Sequence, residues 1–216
     1  MAYPLQKTGH GIKLLVLRSL GTVVCAVVLA SPARADNIDH VVPLDNTGIW
    51  NPNVYRTLMA VLNVGQIGLA VYEGGYDRLG NTAWRGIDSE IISGIATEAI
   101  KAAFRRERPD VNPNPNSWGQ CPSNCSFTSG EAAQAAALVT PYMIEYGKDY
   151  PAVYLLSVLP LYIGVARVKN QAHWQTDVIG GWAVGGLSGW YAWQRDQPLL
   201  LQLMPHGIFV GLKKSF

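Results

Sequence analysis

Charge is scarce in this sequence. Of 216 residues, 15% are Asp, Glu, Lys or Arg, and there are only four histidines and three cysteines. A four-ligand metal site is hard to assemble from these, because no second Cys or His pair exists beside Cys121 and Cys125. A surplus of positive charge is missing as well. The first 35 residues hold Lys7, Lys13, Arg18 and Arg34 and no acid, so the remainder is slightly acidic although the whole chain carries a formal +2. That balance removes support for a nucleic-acid partner or a polybasic membrane anchor, and leaves any basic cluster as a local feature. Nor is there an unbroken apolar run of membrane length in the body of the chain. The uncharged stretches Thr57 to Tyr72, Tyr150 to Ala166 and Val178 to Gln194 fall short of the roughly 20 residues that cross a bilayer, and Asn, Gln, Gly or Pro interrupts them. A soluble bundle is the favoured reading, with contact at a membrane surface as a lesser one. No internal repeat or low-complexity tract is present, and the length suits a single core.

The N-terminus reads as an export signal. Lys7, Lys13 and Arg18 precede an apolar run from Leu20 to Ala30, and Ser31-Pro32-Ala33-Arg34-Ala35 ends in a small-x-small pattern. Residues 1–35 are therefore expected to be cleaved, leaving residues 36–216 as a domain in the periplasm or outside the cell. In such an oxidising compartment Cys121 and Cys125 are expected to form a disulfide that ties down the loop around them.

Helical patterning dominates the remainder of the chain, and an all-α, single-domain bundle is the fold expected. Asn51-Pro52 offers an N-cap followed by Pro at the first helical position, which predicts a helix over 52–72, stopped by Gly74-Gly75. Further helices are predicted over 88–106, 129–146, 151–165 and 173–193. Two of them are rich in Ala or Gly, which points to close helix packing. Between Pro109 and Thr128 runs a long Pro-, Asn- and Ser-rich loop, of the kind that is usually functional. The segment from Asp36 to Trp50 is polar and irregular, with His40 and Asp45 as its contributors to a site. At the other end, Leu199 to Leu212 around Pro205-His206-Gly207 predicts a small β-hairpin.

Chemistry concentrates in three clusters. In the stretch Arg167 to Asp177, a helix from about Ala172 would put His173 and Asp177 on one face, so that the carboxylate orients the imidazole and leaves one ring nitrogen free to attack. An ordinary i,i+4 surface pair is the alternative. Lys101, Arg105 and Arg108 fall on one helical face beside the long loop and concentrate positive charge, unless they are simply a solvated basic helix end. Ser126-Phe127-Thr128-Ser129-Gly130-Glu131 opens a helix whose free N–H groups suit an anion, or forms a plain capping box from Thr128 to Glu131.

In this order and spacing, Lys101-x6-Arg108-Pro109, Ser129-Gly130 and Arg167-x5-His173-x3-Asp177 resemble the three-part signature of the type-2 phosphatidic-acid phosphatase superfamily. That superfamily includes bacterial class A acid phosphatases and vanadium haloperoxidases, and the resemblance covers Lys101 to Asp177. It implies an all-helical bundle and a phosphatase that needs no metal or other cofactor, acting on a phosphorylated small molecule or a lipid phosphate. Lys101, Arg108, Arg167 and the amides near Ser129 and Gly130 would hold the phosphate, His173 would form a phosphohistidine, and Asp177 would orient it. The chain departs from the family at one place. The second part usually ends Ser-Gly-His, where the His protonates the leaving group, whereas here Glu131 stands as either a catalytic acid or a capping residue. Beside a helix start and three cations it is expected to be ionised at neutral pH, with no proton to give, which favours anhydrides and aryl phosphates over alkyl phosphates. The rival readings are a membrane-embedded lipid phosphate phosphatase, a vanadate-dependent haloperoxidase and a non-catalytic phosphate-binding relative.

Overall fold

The computed structural model of the chain describes residues 38–200. The expected signal segment, and the expected hairpin beyond Leu200, lie outside the described residues. After a 3-10 turn at Gly48–Trp50, the helices are α1 Pro52–Glu73, α2 Arg78–Phe104, α3 Gly130–Tyr146, α4 Val158–Lys169 and α5 Gln175–Gln194. A second 3-10 turn, Pro151–Ser157, leads into α4, and there is no strand among the described residues.

Local chemistry explains the boundaries, including those that the sequence pattern misses. The Asn51 side chain accepts from the Asn53 N–H at 2.9 Å and Pro52 occupies the first turn, as expected for α1. Its partner α2 starts at Arg78, ten residues before the predicted position. Gly74, at φ 68, turns the chain out of α1, and the Asp77 carboxylate already caps the next helix by accepting from Gly80 N–H at 2.6 Å. At its other end α2 stops at Phe104, because Arg105 adopts a left-handed φ of 47. Lys101, Arg105 and Arg108 therefore do not share a helical face. Likewise α5 starts at Gln175, not at His173, so the imidazole sits ahead of the helix, one residue before its N-cap Trp174.

The helices alternate in direction, which gathers one set of ends at the site. Arg56 in α1, Lys101 in α2, Glu131 in α3, Arg167 in α4 and Asp177 in α5 all lie there. At the opposite end, Arg78 pairs with Glu145 at 2.7 Å and Asp149 at 2.5 Å. Between the two ends, Tyr55, Met59, Leu138, Val139 and Ile163 form one core cluster, and Ile100, Ala133 and Val184 belong to another. The second depends on glycine in α5. A Cβ on Gly181 would sit 2.5 Å from the Ser129 carbonyl oxygen, and one on Gly185 would sit 2.1 Å from that of Ala133. Helices α3 and α5 thus meet backbone to backbone.

The outward faces are largely apolar. Val61, Val64, Ile67 and Val71 on α1, and Leu155, Val158, Leu161 and Val165 on the turn leading into α4 and on α4 itself, are exposed. Two stretches, Pro52–Glu73 and Pro151–Lys169, are long and apolar enough to cross a membrane. Both exceed the uncharged runs counted from the sequence, since each helix extends into its polar ends.

Replacing Gly185 by Ala should lower the thermal unfolding midpoint, with a cost of about 1–3 kcal/mol from overpacking against a backbone that cannot withdraw. The neighbouring Gly186→Ala meets nothing within 4 Å and should leave the midpoint unchanged or slightly raised. Equal midpoints for the two variants would contradict the backbone contact.

Candidate active site

The three clusters are brought together at one end of the bundle. Lys101, in the last turn of α2, places its Nζ 3.5 Å from where a Cβ on Gly130 would stand, so the first cluster abuts the start of α3. The same Nζ lies 2.9 Å from Glu98. Arg108 follows on the loop. Its Nε donates to the Asn124 carbonyl at 2.8 Å and Nη2 donates to the Asn124 side chain at 2.7 Å. A disulfide between Cys121 and Cys125 closes the short turn that presents Asn124. At the end of α4, Arg167 donates from Nη1 to Tyr55 Oη at 2.6 Å and pairs through Nε with Glu131 at 2.6 Å.

His173 is buried, and its Nδ1 lies 2.8 Å from the backbone carbonyl of Ser126. A carbonyl only accepts, so Nδ1 carries the proton and Nε2 keeps its lone pair. Asp177 stands farther off, 3.8 Å from Nδ1. The Ser126 carbonyl thus fixes the ring by a direct hydrogen bond, with Asp177 beside the same nitrogen as its ion-pair neighbour. Asp177 acts through its neighbours, accepting from Ser126 Oγ and from Trp174 N–H at 2.9 Å. The Ser126 hydroxyl is itself 3.4 Å from Nδ1 and joins the two groups.

Behind Asp177 lies Arg106, a residue the motif reading passes over. It is fully buried, and each of its five N–H groups has an acceptor. Nη1 donates to Asp177 at 2.7 Å and to Thr176 Oγ1 at 2.9 Å, Nη2 to Asp39 and to the Pro115 carbonyl at 2.6 Å each, and Nε to the same carbonyl at 3.0 Å. Its guanidinium also stacks over Trp118, 4.5 Å from the ring centre. Asp39 additionally accepts from the Thr176 N–H at 2.8 Å, at the start of α5. In the N-terminal segment it is thus Asp39 that joins the site. His40 is exposed and bonds to Gln175, while Asp45 accepts from Thr47.

Glu131 is not a capping residue. Ser129, the N-cap of α3, makes no side-chain cap, and the Thr128 and Ser129 hydroxyls are buried without a hydrogen-bond partner among the described residues. The Ser129 N–H instead donates to the Asp177 carbonyl at 2.9 Å, which pins the start of α3 to α5. The Glu131 carboxylate is shared by two guanidiniums, Arg167 at 2.6 Å and Arg56 at 3.0 Å. It accepts a hydrogen bond from Arg56 Nε and forms an ion pair with Arg167.

Burial pushes the His173 imidazole down from 6.5 to about 4, with the Arg167 and Arg108 charges acting in the same direction and Asp177 opposing them. Burial alone would raise the Asp177 carboxyl, but His173, Arg106 and Ser126 outweigh it and hold it below the ordinary range. A pH dependence of folding arises from His173. In the unfolded chain the imidazole takes a proton below its ordinary 6.5, whereas the folded chain resists until about 4, so folding should weaken as pH falls between those values and no further below them. Nitrogen-15 NMR of the histidines should then show the buried imidazole neutral, with the Nδ1–H tautomer, at pH 6. A ring doubly protonated there would contradict the geometry.

Residues 86–199, over half of the chain, match the PAP2 superfamily. Curated relatives include a lipid A 1-phosphatase of Porphyromonas gingivalis, 29% identical over 72% of this chain and 29% of its own length. A lipid A 4'-phosphatase of Rhizobium leguminosarum is 36% identical over 30% of this chain and 28% of its own length. Phosphatidylglycerophosphatase B of Bacillus subtilis is 26% identical over 47% and 53%. The chain thus spans less than two thirds of the length of each. Among solved structures, a transmembrane PAP2-type phosphatidylglycerolphosphate phosphatase of Bacillus subtilis is similar at a TM-score of 0.46 and 21% identity, over 82% of this chain and 84% of that one. From its match over residues 86–199, the chain belongs to the PAP2 superfamily.

Proposed function

We infer that this protein is a phosphoric ester or anhydride hydrolase that works through a phosphohistidine at His173. The observation that carries the reading is the buried, neutral imidazole whose Nδ1–H is bound to the Ser126 carbonyl, which leaves Nε2 as a nucleophile. Its surroundings suit a phosphate. Arg108 and Arg167 act on the imidazole electrostatically, Lys101 stands at the start of α3, and the unpartnered Ser129 hydroxyl is buried there. In the forward step the Nε2 lone pair forms the N–P bond as the P–O bond to the leaving group breaks, and the fixed cations neutralise the equatorial oxygens. The ring becomes positive on attack, and the Asp177 carboxylate nearby steadies it. Water then displaces the histidine and supplies the proton that completes the free phosphate.

Glu131 shapes the substrate range. Both carboxylate oxygens of Glu131 face guanidiniums, so the side chain is committed to ion pairs and not placed to serve an alkoxide leaving group as an acid, and leaving groups that depart as stable anions are favoured. Purified protein should turn over a nitrophenyl phosphate or an anhydride much faster than a simple alkyl phosphate at pH 7. Brief quenching with labelled substrate should trap an acid-labile phosphoenzyme, absent in His173→Ala. A phosphoenzyme of full yield in that variant, or equal turnover of alkyl and aryl phosphates with phosphorylation rate-limiting, would overturn this mechanism.

A lipid phosphate at a membrane face is the second reading, favoured by the exposed apolar faces of α1 and α4. The names of the relatives, two lipid A phosphatases and a phosphatidylglycerophosphatase, support the same substrate class. Burying those faces in a bilayer would set the charged end, with Arg56, Lys101 and Arg167, at the level of lipid headgroups. On detergent phase separation of cells expressing the full chain, the protein should enter the detergent-rich phase. Recovery in the aqueous phase after osmotic shock would favour a soluble periplasmic enzyme instead.

A further inference from the structure

A cleft of about 420 Å³ opens between the last turns of α2 and the disulfide loop, lined among others by Glu98, Lys101, Arg105, Ser123 and Asn124. Two of these residues also belong to the reaction site. Lys101 faces the start of α3, and Asn124 is the residue that holds Arg108. The cleft and the phosphate site therefore share a wall. Arg105 belongs to the cleft alone. Its left-handed backbone, uncommon for a residue with a side chain, is held by its N–H donating to Lys101 O at 3.0 Å and its carbonyl accepting from Cys121 N–H at 3.1 Å. Its Nε donates to the Cys121 carbonyl at 2.9 Å, and its terminal nitrogens have no partner among the described residues. The guanidinium is thus anchored at its base with its fork of N–H groups unspent. Glu98, the carboxylate in the lining, is 74% exposed and already paired with Lys101 at 2.9 Å. Arg105 therefore leaves the cleft with a net positive charge.

We propose that this cleft is a second anion subsite, which takes a non-reacting phosphate or carboxylate of the substrate on Arg105 while the reacting phosphoryl group lies at His173. The idea deepens the phosphatase reading and rests on it for the place of the reacting group. It also answers the missing proton donor. When the leaving group is a phosphate, the electron pair of the broken P–O bond stays on its oxygen, and Arg105 stabilises the added charge with no proton transferred.

The test compares methylene diphosphonate with inorganic phosphate, binding each by calorimetry to the full chain and to two variants. Arg105→Gln removes the charge, and Arg105→Gly removes the side chain while suiting the left-handed backbone. Wild type should bind the diphosphonate about tenfold tighter than phosphate, and both variants should lose that tenfold, the scale of a hydrogen bond to a charged group. Phosphate affinity and nitrophenyl phosphate turnover should stay unchanged, which also shows the variants folded. A loss shared equally by both ligands, or no loss for either, overturns the subsite. Selective loss of the diphosphonate in a chain that turns over no phosphate would uphold the subsite and sink the phosphatase reading. Normal turnover with an indifferent Arg105 would do the reverse.

Discussion

The buried guanidinium of Arg106, clamped between Asp39 and Asp177, is the interaction on which the rest of the site depends. It ties together the N-terminal segment, the long loop after α2 and the start of α5, none of which carries much regular structure against the others. Breaking a buried pair by removing one partner costs about 3–5 kcal/mol, because the remaining charge is stranded away from water. The arrangement contains two carboxylates and one guanidinium, so negative charge is in excess beside a neutral imidazole. Before reaction, burial keeps that imidazole uncharged. In the proposed reaction the imidazole would turn positive on accepting a phosphoryl group, and the surplus carboxylate 3.8 Å away is placed to be its counter-ion. Asp177 thus acts on the charge that develops, while the tautomer is set by the Ser126 backbone.

Glu131 shows how one side chain can alter the chemistry of a shared framework. A histidine at this place would repel Arg167 when protonated. A carboxylate attracts it, and draws in Arg56 from α1 as well. The consequence is organisation: Glu131 fixes Arg167 and brings Arg56 to the end of the bundle that holds Lys101 and Arg108. Arg167 is thereby held on two sides, through Nη1 by Tyr55 and through Nε beside Glu131.

Much of this was legible in the sequence, and the remainder was hidden for identifiable reasons. The helical bundle follows from apolar periodicity and from Asn51-Pro52, and the meeting of Lys101, Glu131 and Arg167 at one end follows from the motifs that carry them. Helix starts were less visible. The start of α2 at Arg78 depends on a single carboxylate, Asp77, masked by the Gly74-Gly75 stop signal next to it. The i,i+4 relation of His173 and Asp177 suggested a helical pair, yet Asp177 turns its carboxylate back to the Trp174 N–H and so starts the helix after the histidine. Asp39 had no local signal at all. Its role depends on a partner 67 positions away, and no pattern in an irregular segment distinguishes it from His40 or Asp45. Arg106 stood in plain view within a basic run, where charge argued for exposure. The structure buries it because two carboxylates and the Pro115 carbonyl satisfy it completely.

The scarcity of charge acquires a meaning once the helices are placed. Arg56, Lys101, Arg106, Arg108, Glu131, Arg167 and Asp177 gather at one end, and Arg78, Glu145 and Asp149 at the other. The outward faces of α1 and α4 between them carry little but Val, Leu and Ile. In water, exposed apolar surface of that extent is unusual unless something covers it. Helices do not need polar outer faces if their surroundings are apolar, and the glycine-mediated contact of α3 with α5 is of a kind that works through packing and not through exclusion of water. The same partition sets Arg56, Lys101, Arg106, Arg108 and Arg167 together at one rim. The proposed lipid-phosphate reading rests on that partition, an apolar flank beneath a charged rim, since an amphipathic ester would set each of its halves against the surface that stabilises it.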